Sequence, residues 1–282
     1  MSRSVTVLVP DPEEAAYEGR WQAAFERYRA LFAKRGVGCE ATPWTCMGES
    51  AGDVTLAELA WGYHRKTTDF EAGLRTWPQG RVLVNPAPLL LWNMRKTYLA
   101  QLAEAGVSVI PTRFVDDPDA AACEAAFAAF GVDALVVKPQ VSAGAHQTLR
   151  LARGAPLEAP PTGPCMIQPF LPAVGGEGEL SLFLFGGRLA YAVRKVAAAG
   201  DFRIQPQYGG RLSLFEPDAE AQALAAAAVA ALPCPSVYAR CDMVRGLDGR
   251  LQLMEVECIE PDLYLELAPD GGEAFVDAVL SA

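Results

Sequence analysis

The chain has 282 residues, 51% hydrophobic and 21% charged, a length that buries one large core or two to three smaller ones. Its formal net charge of −10 argues against nucleic acid or an anionic membrane as the main partner, since both are met by clustered Lys and Arg. No apolar run approaches the ~20 residues of a membrane span, the first residues do not read as a signal peptide, and the seven cysteines show no metal or redox spacing, so the cytoplasm is the expected compartment.

Ser4 to Val9 reads as a buried strand ending in Pro10-Asp11-Pro12. Glu13 to Arg35 carries apolar residues at helical spacing from Tyr17 to Phe32 and is closed by Gly36. Short strands are expected at Cys39 to Thr42, Leu56 to Ala60 and Arg81 to Val84, with a helix over 66–77. Trp61-Gly62-Tyr63-His64 stands at the end of the second of these strands. Strands alternating with helices predict a parallel sheet with covered faces. This first unit, 1–93, has no GxGxxG turn and no Walker A loop, so it is not expected to hold a nucleotide by itself.

Asn93 to Ala105 reads as one amphipathic helix with Gly106 as its C-cap. A strand at Val107 to Pro111, an Ala-rich helix over 117–130 and a strand at Ala134 to Val137 follow. Lys138 comes at the end of that strand and can reach a phosphate. The small-residue turn Ser142-Ala143-Gly144-Ala145 offers backbone N–H groups to the same anion. A Pro-rich link, Ala155 to Pro164, ends a compact α+β unit over 94–165.

From 166 the strands read antiparallel, and this last unit runs to 282. Glu179 to Phe185 and Arg188 to Val196 precede a Gly-bearing loop over 198–211, a helix over 218–232 and a short helix over 273–280. Arg194 and Lys195 are adjacent, so only one of them faces any given cleft. Arg203, in the Gly-bearing loop, is a candidate clamp for phosphate or carboxylate. His64 and His146 are too few and too separated for a metal site, and no Ser/His/Asp or Cys/His nucleophile is evident.

The densest signal lies near the end. Val237 to Val244 and Arg250 to Ile259 alternate with period two, and Asp248-Gly249 between them marks a two-residue hairpin turn. A turn centred there sets Asp242 opposite Glu255 and Arg240 opposite Glu257, all on one face. Ala239, Cys241, Met243, Met254, Val256 and Cys258 then form the buried face. Facing acids ~4 Å apart repel by roughly 4 kcal/mol at an effective dielectric near 20. Arg240 offsets one carboxylate, and a hard cation such as Mg²⁺, which takes carboxylate and phosphate oxygens, would compensate the rest. The plain alternative is the solvated face of an edge hairpin.

Taken together, WGYH (61–64), Asn85-Pro86, WNMRKTYL (92–99), VVKPQVSAGA (136–145), IQPFL (167–171), GELSLFLFGG (178–187), Arg194, GDFRIQ (200–205), YGG (208–210), YARCD (238–242) and MEVECIEPDLY (254–264) resemble the ATP-grasp enzymes. The similarity is to the glutathione synthetase and ribosomal-protein glutamate ligase branch, nearest the bacterial group that includes the D-cycloserine-forming cyclo-ligase. It implies an ATP-grasp fold of α/β and α+β type: an N-terminal parallel-sheet domain, a small lid domain and a C-terminal antiparallel-sheet domain. Lys96 and Lys138 would hold ATP phosphates under the Ser142–Ala145 turn, Gly144 included. Ile167 and Gln168 would offer backbone and side-chain bonds to the adenine. Asp242, Glu255 and Glu257 would hold Mg²⁺, and Arg194, Arg203 and Arg240 would stabilise the γ-phosphate and an acylphosphate. Gly62 stands where the resembling proteins usually have Asp, and Glu257 where they often have Asn. The implied reaction joins a carboxylate to an amine, both small and amino-acid-like, with release of ADP. Ring closure within one molecule and an ATP-binding protein without catalysis are the rival readings. A homodimer is compatible with the sequence, which does not set the oligomeric state.

Overall fold

The computed structural model describes residues 3–196 and 209–282, so Arg203 and the GDFRIQ motif lie outside the described residues. The first sheet is wholly parallel, in the order β2-β1-β3-β4, with β1 at Ser4–Val9, β2 at Gly38–Pro43, β3 at Val54–Leu56 and β4 at Val82–Val84. Val5, Val7 and Val9 pack on Tyr28 and Phe32 of α1 (Arg20–Ala33), while Leu8 packs with Phe70 and Leu74 of α2 (Thr67–Arg75). That double cover explains why β1 carries a run of apolar residues rather than an alternation. The first helix starts at Arg20 and not at Glu13, because Gly19 takes φ +75° and breaks the run. The strand expected to reach Ala60 stops at Leu56, where the chain turns and Ala60 N–H bonds the Ala57 carbonyl.

The single helix expected over Asn93 to Ala105 is two, α3 (Ala87–Asn93) and α4 (Tyr98–Glu104). Tertiary bonds override the local pattern. The Asn93 amide donates to the Val256 carbonyl at 2.7 Å and accepts from Cys258 N–H at 2.8 Å. Lys96 N–H bonds the Gln140 carbonyl at 2.9 Å. Lys96 therefore sits in the break, not on a helical turn.

The small sheet is antiparallel, in the order β5-β8-β6-β7: β5 at Arg113–Val115, β6 at Ala134–Pro139, β7 at Leu149–Ala152 and β8 at Cys165–Pro169. Helix α5 (Ala120–Phe130) covers one face through Cys123, Ala126 and Phe127. Because β8 pairs with β5 and β6, this sheet runs to Pro169, past the expected boundary after 165. Val107 to Pro111 is not one of its strands. Val109 makes an isolated parallel bridge to Leu253, with Leu253 N–H on the Ser108 carbonyl at 2.8 Å.

The third sheet is antiparallel, in the order β11-β10-β9-β12-β13, with β9 at Glu179–Phe185, β10 at Arg188–Val196, β11 at Arg211–Leu214, β12 at Tyr238–Arg245 and β13 at Leu251–Glu257. One face packs on α6 (Ala219–Ala230), which is N-capped by Asp218. The other face meets the parallel-sheet core and α7 (Glu273–Leu280) at one end and opens to a cleft at the other. Asn85 fastens the two units: its fully buried amide donates to the Tyr238 and Cys258 carbonyls, both at 2.8 Å, and accepts from Val237 N–H. Among the described residues, no helix is long and apolar enough to cross a membrane.

Candidate active site

The hairpin of β12 and β13 sets Arg240 opposite Glu257 and Asp242 opposite Glu255, as the alternation predicts. It does so by a different route. Gly246 N–H bonds the Arg250 carbonyl, so the loop is Leu247-Asp248-Gly249, with Gly249 at φ +79°, and not a two-residue turn. This shifts the pairs nearest the loop, and Met243 meets Leu253 rather than Met254. A bulge between those pairs and Asp242 restores the acids to register. The consequence is a change of face. Leu253 enters the core, and Met254, expected there, packs beside Ile110, Leu171 and Val244 in the cleft.

The oxygens of Asp242, Glu255 and Glu257 lie within 4.8 Å of one another. They are already compensated by protein cations, which corrects the expectation that a metal is needed for the cluster to be tolerated. Arg240 spans Asp242 at 2.7 Å and Glu257 at 2.5 Å. Lys195 pairs with Glu179, its cross-strand partner, and with Asp242 at 3.2 Å. Ser181 adds a hydroxyl bond to Asp242. Lys96 reaches Glu255 at 3.2 Å and the Ser142 carbonyl at 3.1 Å.

These pairings set the ionisation. Burial works against the charge on Glu255, but Lys96, Lys138 and Arg240 overcome it and hold the carboxyl well below the usual range. Asp242 is lowered too: Arg240 and Lys195 outweigh its burial. Burial pushes Glu257 up, with Glu255 and Asp242 adding repulsion. Burial also raises Glu179, to about 7, against the pull of Lys195. Lys138 is shifted down by burial, as expected of an ammonium in a cleft without an anion. The oxygen-only donor set and its spacing fit a hard divalent cation beside phosphate oxygens.

The cleft has a volume of about 660 Å³. Its apolar end is formed by Ile110, Leu171, Val174, Val244 and Met254, with Gln168 near them. Lys138, Lys96 and the 142–148 turn, Gly144 included, form the middle. Tyr17, Arg20, Trp61 and Arg65 form the outer end. Ile167 lies mid-strand between β5 and β6 with its side chain fully buried in the small-sheet core, so only its backbone is left to meet a base. Arg194 departs from expectation. Its guanidinium lies over the Phe215 ring at 5.4 Å, away from the acids, and its neighbour Lys195 takes the cleft. Alternation on a strand allows only one of two adjacent residues to face the site, and the Glu179 partner picks Lys195.

Sequence reasoning also missed contacts between distant segments. His64 and His146, set aside as too separated, have ring centroids 5.7 Å apart at the cleft edge. Burial lowers His64 to about 4, so it is neutral. Gly62 has φ +92°, and a Cβ there would come within 3.1 Å of the Tyr17 ring, so the space an Asp would occupy is taken by Tyr17. Tyr17 in turn packs on Trp61, with centroids 5.8 Å apart.

No protein-family profile matches the chain. It is similar to the cycloserine biosynthesis protein DcsG of Streptomyces lavendulae, with 30% identity over 272 residues, 86% of this chain and 88% of that protein. The crystal structure of D-cycloserine synthetase DcsG superposes with a TM-score of 0.81 at 26% identity, over 98% of this chain and 99% of that one. Two further structures share the fold. The ATP-grasp ligase PsnB with its minimal precursor gives a TM-score of 0.69 at 17% identity, over 100% of this chain and 99% of that one. The D-alanine–D-alanine ligase of Bacillus anthracis complexed with ATP gives 0.71 at 17% identity, over 99% of this chain and 97% of that one.

Proposed function

The chain belongs to the ATP-grasp ligase family, and on that premise we propose that it activates a small carboxylate with ATP and passes the acyl group to an amine. The observation that carries this reading is the cluster of Asp242, Glu255 and Glu257 in the same cleft as Lys138 and Lys96. In the proposed site Asp242, Glu255 and Glu257 would hold Mg²⁺, which would supply charge neutralisation for the phosphates. Lys138 meets phosphate oxygens, and the 142–148 turn covers them. Gln168 and the apolar end of the cleft receive the base. Arg240 and Lys195 keep Asp242 ionised, Lys96, Lys138 and Arg240 do so for Glu255, and Arg240 holds Glu257 in place before substrate arrives. Arg203 is retained as a proposed clamp from its sequence position alone. The acceleration on this reading is positional and electrostatic, with little covalent work by the protein.

Intermolecular ligation and ring closure share this machinery. Similarity to a D-cycloserine synthetase over nearly the whole chain favours ring closure as the second reading. An ADP-release screen with Mg²⁺ tests both. A panel of amino acids supplied singly and in pairs should release ADP, and chelation of the metal should stop it. Release requiring two organic substrates supports intermolecular ligation; release with one, giving a cyclic product, supports ring closure. Tight ATP binding with no ADP from any member of the panel would overturn both.

A further inference from the structure

Most cations that line the cleft have a carboxylate partner within the protein. Lys96 pairs with Glu255, Lys195 with Glu179 and Asp242, Arg240 with Asp242 and Glu257, and Arg65 with Glu14 at 2.7 Å. Lys138 and Arg20 have none among the described residues. Lys138 stands beside the 142–148 turn, where phosphate is expected; Arg20 stands at the outer end with Tyr17 and Trp61.

Arg20 is held in place without being neutralised. Its guanidinium lies over the Trp61 ring, 5.8 Å from the centroid. Trp61 is fixed in turn: its carbonyl accepts from Trp44 Nε1 at 3.3 Å, and its ring packs on Tyr17. The acids nearest in the chain are engaged elsewhere. Asp11 and Glu13 pair with Lys66 at 2.6 and 3.5 Å, Glu14 pairs with Arg65, and Glu18 accepts from the Gln22 amide at 2.5 Å. Gly62, beside Trp61, adds no acid, and a Cβ there would meet the Tyr17 ring at 3.1 Å. Among the described residues, no acid lining the cleft forms an ion pair with Arg20. An arginine held on an aromatic ring keeps its forked N–H edge for an oxyanion.

We propose that Arg20 receives an oxyanion of the organic substrate other than the carboxylate that ATP activates, so that the preferred substrate carries two anionic groups. This assignment rests on the ligase reading. The activated carboxylate belongs in the middle of the cleft with Lys138 and the metal acids, and the second anion belongs at the outer end. A second carboxylate and a phosphate monoester both present the paired oxygens that a guanidinium takes. An ammonium at that end would instead face Arg20 over Trp61 and Arg65 over the Tyr17 ring, 5.6 Å from its centroid. The second anion is a bystander to activation, so any nucleophile can report on it.

The test uses hydroxylamine as that nucleophile and measures hydroxamate and ADP together. Aspartate, glutamate and O-phosphoserine, each as both enantiomers, are compared with asparagine, glutamine and serine. The wild-type protein should prefer at least one dianionic acid to its neutral counterpart; preference for aspartate or glutamate identifies a carboxylate, and preference for O-phosphoserine a phosphate. Arg20→Met should raise the KM for the preferred acid about thirtyfold, the loss of a charge-assisted contact, and shrink the preference. Its affinity for ATP should stay unchanged, and Arg20→Lys should restore part of the preference. Turnover of neutral acids in preference to dianionic ones, an unchanged KM in Arg20→Met, or an equal loss for both classes overturns the assignment while leaving the ligase reading intact. Absence of both products from the wild-type protein with every acid overturns the ligase reading and the assignment with it.

Discussion

Asp242 and Glu255 are direct cross-strand partners because two irregularities, one in the loop and one on β13, cancel. The three-residue loop Leu247-Asp248-Gly249 moves the ladder by one, and the extra residue at Met254 moves it back. The bulge turns Met254 and Glu255 to the same side, so an apolar wall and a metal acid stand next to each other in sequence. Met254→Ala should leave ADP release detectable and weaken ATP binding by about 1 kcal/mol, the loss of part of an apolar contact. Calorimetric titration with ATP checks this; an unchanged affinity would place the base elsewhere.

Glu255→Gln separates a metal ligand from a structural acid. Lys96, Lys138 and Arg240 hold Glu255 ionised, so its charge is favourable in the metal-free fold. The substitution should lower metal-free stability by about 1–3 kcal/mol, rather than raise it by relieving repulsion. Turnover at saturating Mg²⁺ should fall at least about a hundredfold, as when a charge-stabilising group is removed. Thermal melts without metal and ADP-release rates measure the two effects. Retained turnover would remove Glu255 from the site.

Lys138→Ala should weaken ATP binding by about 2 kcal/mol, since Lys138 is the cleft ammonium without a carboxylate partner among the described residues. Titration with ATP and Mg²⁺ decides it, and equal affinities would exclude the contact.

Lys195 and Arg194 should behave oppositely. Lys195→Met leaves Glu179 and Asp242 without their shared cation and should cost about 3–5 kcal/mol of stability, with turnover lost. Arg194→Met removes a cation stacked on Phe215 and should leave turnover within about threefold, as for a substitution away from the site. Denaturant melts and ADP release on both variants distinguish them. Loss of turnover in the Arg194 variant alone would reverse the assignment.

Glu58 predicts a pH dependence of stability. It is buried, accepts a bond from Tyr28 Oη at 2.7 Å, and its second oxygen has no partner among the described residues. Burial raises its pKa well above the ordinary value, so the folded protein keeps a proton that the unfolded chain loses above about pH 4.3. The folded state binds more protons there, and stability falls as pH rises beyond that point. Melting temperatures from pH 5 to 8 should decline less steeply in Glu58→Gln than in the wild-type protein. Parallel slopes would show that Glu58 ionises without penalty.

What the sequence determined by itself follows from local rules. The alternation of β12 and β13 put Arg240, Asp242, Glu255 and Glu257 on one face, and the apolar run at Ser4–Val9 announced a covered parallel strand. Lys138 was legible because a strand end and a small-residue turn flank it. The tertiary structure decided what depends on partners far along the chain. Asn93, anchored to Val256 and Cys258, broke one expected helix into two and placed Lys96 between them. Glu179 on β9 drew Lys195 rather than Arg194 into the cleft. His64 met His146 through packing of units whose contacts no local periodicity encodes. Periodicity fixes which way a side chain points from its own strand or helix; only the neighbour that arrives opposite decides whether it meets a counter-charge, a ring or open space.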